Sequence, residues 1–485
     1  MTKKTVFAKT VHGAKWITIG VFVQRLVNII TLITLARILS PEMYGIMIAA
    51  TIIVDGITVF TNPGFGMLVV QEKGVEKYLN PAWTFEVIKG VIWLVLISAL
   101  SPFIAKFFHV EGYELVICFG GVYLLFNGLK NIGAVLLLKE MQFSRIFVQQ
   151  FAQQVAYLVV ALTWALISPS VWALVAGNLA GYAASAISTY AVHPYRPKLD
   201  FRLKEFAGLL TKTKWIIGTN IMNYTSGIID TTFLGYLLGP ANMAVYSKSR
   251  DISIMPSSYL GQITNKAGFA GIAQVQDNRE LIRDGFLKMF DITILISIPF
   301  LAILIFESPR LVPLLLGDKW IAMIVPLQLL TIAMTIRGFT NLTTPIFQGL
   351  GKFNMRFHTV LLQLITSIIF LVVSVPLWGL AGAAYAIIAS YSIVLIYSFI
   401  RLIPLIKLNP FKALPSTLIT TLAATLVIAA TYPFYDLLQS IHGAIYLLIL
   451  AALGLVYFTL VLLFGVVTKK GPYVTLRQTL GAFRK

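Results

Sequence analysis

Long apolar stretches separated by short polar ones run the length of this chain. A membrane-spanning helix needs about 20 mostly apolar residues. Fourteen segments meet that requirement: 16–38, 44–66, 86–107, 113–138, 146–168, 170–192, 214–238, 243–264, 286–306, 320–349, 357–377, 380–403, 414–434 and 443–467. The tenth holds Pro326 and Pro345 and is expected to bend. Turn and cap residues punctuate the outer connections, as in Ser40-Pro41, Ser168-Pro169-Ser170 and Gly239-Pro240. No connection is long enough for a separate soluble domain. The start, Met1-Thr2-Lys3-Lys4, imitates a signal peptide, but no small-residue cleavage site follows and the first segment runs on past Arg25. A retained first helix is expected. The pattern predicts an all-α polytopic membrane protein.

Composition agrees. Of 485 residues, 58% are apolar and 12% are charged, about half the charge density of a soluble protein. Mean hydropathy is +0.84. A cytosolic enzyme, a disordered chain and a secreted disulfide scaffold are excluded, the last also because Cys118 has no intramolecular partner. The net charge of +19 would suggest nucleic acid on a soluble protein. Here its distribution gives another reason. With the N-terminus in the cytoplasm, 28 of the 38 Lys and Arg lie in inner tails and loops. Four, Arg37, Lys106, Arg310 and Lys319, lie in outer loops, and six lie inside segments. This bias predicts that both termini are cytoplasmic, with basic tails facing anionic lipid.

The chain repeats itself. A shift of 199 aligns Lys15-Trp16-Ile17 with Lys214-Trp215-Ile216, Ile29-Ile30 with Ile228-Ile229, Leu35 with Leu234, Leu39 with Leu238 and Pro41 with Pro240. A shift of 210 then aligns Gly128 and Asn131 with Gly338 and Asn341, and Phe143 with Phe353. Trp172-Ala-Leu174 resembles Trp378-Gly-Leu380. Segments 1–6 and 7–12 therefore read as two copies of a six-helix unit in the same orientation, a parallel repeat about an axis along the membrane normal. The expected organisation is an N-lobe over 1–195, a linker over 196–213, a C-lobe over 214–405, and two further helices with a basic tail over 406–485. Two such lobes would enclose a central cavity, and rocking them would give alternating access.

A charge at mid-bilayer costs about 2.5–3.5 kcal/mol on insertion scales, so such residues face a bundle interior or water. Polar stripes at helical spacing include Thr18, Arg25, Asn28 and Thr31 on segment 1, and Thr51, Asp55, Thr58 and Asn62 on segment 2. Segment 4 has Asn127, Lys130 and Asn131, and segment 7 has Asn220, Asn223, Asp230 and Thr231. Segment 8 carries Lys248, Arg250, Asp251, Gln262 and Asn265, and segment 10 carries Arg337, Thr340, Asn341, Thr344 and Gln348. The stripes fall on segments 1, 2 and 4 and on their repeat equivalents. Segments 13 and 14 have no charge in their cores and read as lipid-facing. The functional reading is that Arg25, Lys130, Lys248, Arg250 and Arg337 line the cavity, with Asp55, Asp230 and Asp251 in partial balance. The positive excess favours an anionic substrate, and guanidinium matches phosphate oxygens in pairs. A purely structural reading stands beside it: Lys248 pairs with Asp251 three residues on, and Lys130 snorkels toward the cytoplasm. There is no phosphate-binding loop, since Gly349-Leu-Gly351-Lys352 lacks the spacing and the Ser/Thr. The five histidines have no metal spacing. No cofactor is expected.

Four motifs carry a resemblance. They are Leu35-Ala-Arg37-Ile-Leu39-Ser40-Pro41-Glu-Met-Tyr44-Gly45, Asn62-Pro-Gly64-Phe-Gly66-Met-Leu-Val-Val-Gln71, Leu137-Leu-Lys139-Glu140-Met141-Gln-Phe143 and Leu315-Leu-Gly317-Asp318-Lys319-Trp320. In this order, over roughly residues 10–410, the chain resembles the Wzx-type polysaccharide (O-antigen, colanic acid, teichuronic acid) flippases of the multidrug/oligosaccharidyl-lipid/polysaccharide exporter superfamily. The resemblance implies a non-enzymatic transporter of the bacterial inner membrane. Its substrate would be an undecaprenyl-diphosphate-linked oligosaccharide, moved to the periplasmic leaflet for cell-surface polysaccharide synthesis. Partners would be membrane lipids, with a polysaccharide polymerase and glycosyltransferases nearby. Related flippases use arginines on the first and eighth helices, where Arg25 and Arg250 stand. Without an ATPase, proton or sodium coupling is expected, with Asp55, Asp230 and Asp251 as candidate carboxylates. The alternative is an ion-coupled multidrug or metabolite antiporter of the same superfamily, which the positive excess disfavours. A second rival is a non-transport membrane protein such as a scaffold or a polymerase; a polymerase would need a large outer loop and a membrane glycosyltransferase clustered carboxylates, and neither is found.

Overall fold

The computed structural model describes residues 3–61, 75–202, 214–263, 272, 275–434 and 441–483, and those residues are helical almost throughout. Asn62 and the motif over 62–71, Asn265, and the 203–213 part of the expected linker lie outside the described residues, as do the side chains of Thr18 and Gln262. The helices, in chain order, are α1 (Lys3–Ile38), α2 (Pro41–Thr61), α3 (Leu79–Phe107), α4 (Glu114–Gly128), α5 (Phe143–Ile167) and α6 (Val171–Val192). Then come α7 (214–238), α8 (240–253, continued by Met255–Ile263), α9 (Arg279–Leu316) and α10 (Ile324–Asn341, continued by Thr344–Gly349). The chain closes with α11 (353–378), α12 (380–406), α13 (Leu414–Thr431), α14 (Gly443–Thr468) and α15 (Pro472–Phe483). The fourteen expected segments map onto α1–α14 in order.

Two glycines make two of the turns. Helix runs unbroken on either side of Gly239 (φ 80°, ψ 178°) and of Gly379 (φ 56°, ψ −131°). Only glycine takes these angles without strain. The stretch Phe353–Ile406 has 54 residues, about 80 Å of helix at 1.5 Å per residue, far beyond one crossing of about 30 Å. Gly379 divides it into two spans.

One expectation needs correction. The segment over 113–138 is not continuous. Helix α4 stops at Gly128, and a short helical piece over Ile132–Lys139 departs at 71°. No proline causes the break. Asn131 does, by capping the second piece: its Oδ1 accepts from Gly133 N at 3.0 Å. In the tenth segment the helix is interrupted at 342–343, and Pro345 stands at the start of the piece that follows, where its missing N–H costs nothing.

The helices pack into two compact units, Met1–Ala244 with Leu315–Lys319, and Val245–Leu314 with Trp320–Lys485. In the first, α3 pairs with α4 and α5 with α6, while α1 lies on α5 and α2 on α4 and α6. Helices in lipid associate by close packing and hydrogen bonds rather than by water exclusion. Accordingly, Gly128 lets α4 approach α3 until a Cβ there would stand 2.4 Å from the Glu86 carbonyl oxygen. After α6 the chain runs extended over 193–202 beneath α3. There the Tyr195 hydroxyl and Lys198 N donate to Asn80 Oδ1 at 2.7 and 3.0 Å.

In the second unit, α10 packs on α11–α12, and Phe286, Leu342, Phe347, Leu402 and Ile406 form a core between α9, α10 and α12. Helices α13 and α14 pair with each other and also dock on α9 through Leu295, Ile419, Ala423 and Tyr457. Two polar clasps reinforce that docking. Asp291 on α9 accepts from Ser416 and, at 2.6 Å, from Thr475. Glu307 accepts from the Tyr446 hydroxyl, while the Arg310 guanidinium lies 3.7 Å from the Tyr446 ring centroid.

Candidate functional site

In the first unit, the break after α4 opens a recess. The loss of helix at 129–131 leaves Lys130 on a non-helical residue between α4 and the piece that turns away. Around it lie Glu86 and Lys89 from α3, Asn127 and Asn131, Gln149 and Gln150 from α5, Thr58 from α2 and Thr189 from α6, enclosing about 430 Å³. Ligand sites span about 300–1,000 Å³.

Its charges are arranged unequally. Lys89 forms an ion pair with Glu86 one turn earlier and donates to the Thr61 carbonyl at 3.4 Å. Lys130 is half-buried, and among the described residues no carboxylate lies within ion-pair distance of it. Its ammonium sits 5.9 Å from the centroid of the Tyr182 ring. That ring stacks on Tyr123 at 5.3 Å. Asp55, exposed on α2, is in electrostatic range of Tyr182.

Not every polar residue at the rim is available to a ligand. Asn131 is buried and fully engaged. Besides the cap, its Nδ2 donates to the carbonyls of Thr189, His193 and Tyr195 at 3.4, 3.3 and 2.7 Å. Its place in the polar stripe is structural. The stripe threonines Thr31, Thr58 and Thr340 donate to carbonyls four residues back at 2.6, 2.8 and 3.2 Å, which satisfies a hydroxyl inside a membrane without a cavity. Asn28 meets Gln154 at 3.2 Å, and Gln24 meets Gln150 at 2.7 Å, binding α1 to α5. Arg25 lies half-buried in the same stretch of α1. Asp230 is buried on α7 and accepts from Thr231 N at 2.7 Å.

In the second unit, Lys248 and Asp251 form a 3.3 Å ion pair, so the structural reading describes that pair. Arg250 is half-buried on the same helix. Arg337 on α10 has a different setting. Its guanidinium lies 6.0 Å from the Tyr391 ring centroid on α12. The Tyr391 hydroxyl accepts from Gln363 Nε2 on α11 at 3.0 Å. A second guanidinium, Arg356 at the start of α11, is half-buried and in electrostatic range of both Arg337 and Tyr391. No carboxylate pairs with either arginine among the described residues.

Of the eight sequence-predicted residues, Arg25, Asp55, Lys130 and Asp230 belong to the first unit, and Lys248, Arg250, Asp251 and Arg337 to the second. Within them, Lys130 and Asp55 share Tyr182, and Lys248 meets Asp251. Sequence reasoning missed Glu86, Lys89, Gln149, Gln150, Tyr182, Arg356, Gln363 and Tyr391. Lys89 is one of the six cations inside spans, so the charge census held its signal. The Gln149-Gln150 and Gln153-Gln154 pairs on α5 were the other visible sign.

A family model described as "Polysaccharide biosynthesis protein" matches residues 34–325. The chain is 25% identical over 341 residues to the lipopolysaccharide biosynthesis protein WzxC of Escherichia coli (strain K12), covering 69% of this chain and 68% of that one. It is 21% identical over 360 residues to the teichuronic acid biosynthesis protein TuaB of Bacillus subtilis (strain 168), covering 73% and 74%. In fold it is similar to the lipid II flippase MurJ in an inward closed conformation, with a TM-score of 0.77 at 15% identity over 93% of this chain and 99% of that one. A multidrug resistance MATE family transporter in its inward-facing conformation matches at a TM-score of 0.61 and 14% identity, over 80% and 96%.

Proposed function

Because the chain belongs to the polysaccharide biosynthesis protein family, we propose that it flips an undecaprenyl-diphosphate-linked oligosaccharide across the bacterial inner membrane by alternating access. Arg25, Arg250 and Arg337 hold the diphosphate, Lys130 and Lys248 add to the positive lining, the sugars occupy hydrated recesses, and the lipid tail stays in the bilayer. Both termini are cytoplasmic, and a proton or sodium ion enters at Asp55 or Asp230. Asp251 is the weaker ion candidate, since Lys248 holds it.

The observation that carries this reading is the setting of Arg337. Two guanidinium groups in electrostatic range of each other, with no carboxylate paired to either among the described residues, repel, and a bound dianion relieves that repulsion. Paired guanidinium groups also suit phosphate oxygens. Cationic drugs would need the opposite charge, which leaves the antiporter reading without support from this site.

Vesicles containing the purified protein are expected to transfer a labelled undecaprenyl-diphosphate-linked oligosaccharide between leaflets. Arg25→Glu or Arg250→Glu abolishes transfer, and polymer export in cells, while the folded protein persists. Export that survives both reversals removes the diphosphate role. Rates unchanged after the ion gradient is dissipated remove the coupling.

A further inference from the structure

We infer that the connections at the inner ends of α12, α13 and α14 form a docking site for an anionic phospholipid, with lysines on the headgroup and a leucine stripe of α13 along an acyl chain. The inner placement is that of the proposed function; the site does not depend on what the protein carries. Its charge is uncompensated. Residues 319–485 hold twelve Lys and Arg but one carboxylate, Asp436, which stands between α13 and α14 in the sequence. Lys407 and Lys412 belong to the loop between α12 and α13, Lys469 and Lys470 follow α14, and Arg477 is on α15. All five are exposed, and none is within ion-pair distance of a carboxylate among the described residues. The fold brings these connections together. A Cβ on Gly471 would stand 3.0 Å from Ile419 Cδ1 and 3.6 Å from Ser416 Cα, so the turn after α14 lies against the start of α13. Ser416 and Thr475 share Asp291 as acceptor, which fixes α15 at the same place.

Two of these lysines are held against the preference of the backbone. Lys407 (φ 51°, ψ 47°) and Lys469 (φ 54°, ψ 32°) end α12 and α14 in the left-handed conformation, where glycine is the usual residue. The same unit uses glycine for such angles at Gly351 (φ 68°), just past α10, and at Gly471 (φ 77°). A cation at a helix C-terminus gains from the helix dipole, but less than a side chain at positive φ loses. An anion bound from outside supplies what the fold does not. The neighbouring surface is apolar. Phe411 is 75% exposed beside Lys412, in a loop held by Asn409 Oδ1, which accepts from Phe411 N at 3.0 Å, and by the buried Leu408. Leu414, Leu418, Leu422 and Leu426 are exposed on α13, and their spacing of four puts them in one line leading away from the lysines. A soluble phosphate would use the cations and leave Phe411 in water. A phospholipid with a net negative headgroup uses both, its phosphate at the lysines and its chain along the leucines. A zwitterionic headgroup brings its own ammonium to the lysines and is disfavoured.

The test takes the purified full-length protein in detergent with three probes: phosphatidylglycerol, phosphatidylcholine and soluble glycerol 3-phosphate. Native mass spectrometry counts retained lipid, and thermal melting reads its effect on the fold. Phosphatidylglycerol is expected to be retained about tenfold over phosphatidylcholine and to raise the melting temperature. Glycerol 3-phosphate at the same concentration should leave the melt unchanged. The discriminating variant combines Lys407→Gly with Lys469→Gly, which removes two cations and the backbone strain together. It should melt at or above the wild type in phosphatidylcholine, yet its preference for phosphatidylglycerol should drop to about twofold. Lys407→Arg with Lys469→Arg should keep the preference. Equal retention of the two lipids by the wild type overturns the inference, as does an undiminished preference in the glycine pair. A melt raised equally by glycerol 3-phosphate would make this a soluble-anion site and overturn the lipid assignment. Should the glycine pair fail to fold, Lys412→Gln with Lys470→Gln, which leaves both helix ends intact, carries the same comparison. None of these measurements involves the transported substrate, so this site and the proposed function stand or fall separately.

Discussion

In the first unit one cation, Lys130, is set among amides, next to an ion pair already satisfied. In the second unit Arg337 lies beside a tyrosine, with another arginine in electrostatic range. The repeat makes this comparison sharp. Under the shift of 210, Lys130 stands opposite Thr340 and Arg337 opposite Asn127, so each cation has moved three residues, nearly one helical turn. The aromatic partner lies on α6 in the first unit, Tyr182, and on α12 in the second, Tyr391. One architecture thus presents a cation on a ring twice, with different head groups and neighbours. The difference teaches that a cation near a ring recurs in both units while its neighbours change: amides and a satisfied ion pair in one, a second arginine in the other.

The largest expected effect tests the second unit. In Arg337→Glu the new carboxylate pairs with Arg356, and the dianion site becomes an internal ion pair. Transfer of the lipid-linked substrate in vesicles should fall by at least about 100-fold, the equivalent of roughly 2.7 kcal/mol. Lys130→Glu in the first unit, where no second arginine is in range among the described residues, should lower transfer less, by about tenfold. If the two reversals lower transfer equally, the contrast between the two settings carries no functional weight.

Stability separates the units in the same way. Asn131 and Asn341 are repeat equivalents, yet their surroundings differ. Asn131 is buried, accepts from Gly133 N and reaches three carbonyls. Asn341 is half-buried, and its side chain makes no hydrogen bond to the described residues. Asn131→Ala leaves the Gly133 N–H without its acceptor and is expected to cost about 1–3 kcal/mol, against about 0.5 kcal/mol or less for Asn341→Ala. The glycines three residues earlier form a smaller version of the same contrast. A Cβ on Gly128 meets backbone, the Glu86 carbonyl oxygen at 2.4 Å, whereas one on Gly338 meets the Ser257 side chain at 3.3 Å. Gly128→Ala should therefore cost about 1–3 kcal/mol by overpacking, and Gly338→Ala little. Thermal melts of the four variants in one detergent decide both comparisons. Equal losses within either pair would mean that the units are packed alike.

The helices were legible in the chain because a membrane leaves the backbone few choices: every span is a run of apolar residues of about the same length. The turns at Gly239 and Gly379 were legible as boundaries. The break at 129–131 was not, because it needs no proline. It depends on Asn131 finding carbonyls some 60 residues further on, at Thr189, His193 and Tyr195, and no local pattern records those. Periodicity likewise placed Lys130 and Arg337 on polar faces without showing what faces them. Thr31 and Thr58 looked the same in the pattern as Lys130, yet they are satisfied by their own helices. The ion pair of Glu86 and Lys89 hid in an apolar span where neither residue belonged to a stripe.

The smallest expected effect concerns pH, and it too belongs to one unit. His193 follows α6 in the extended segment, and its Nδ1 accepts from Tyr195 N at 3.1 Å. That bond requires the unprotonated nitrogen. Burial lowers the His193 pKa; Arg145 and Arg196 act in the same direction, and Glu140 opposes them. A histidine with a depressed pKa binds fewer protons in the folded state than in the unfolded one, so stability rises with pH across the interval between the two pKa values. The folded protein thus loses stability as pH falls below the usual histidine value of about 6.5, and the loss levels off once the folded-state group is also protonated. His193→Asn retains an acceptor for Tyr195 N and cannot titrate. Its melting temperature should therefore fall less than that of the wild type between pH 7.5 and pH 5.5. A wild-type curve and a variant curve that remain parallel over that range would assign the acid sensitivity to other groups and leave the segment over 193–202 as a pH-independent brace for α3.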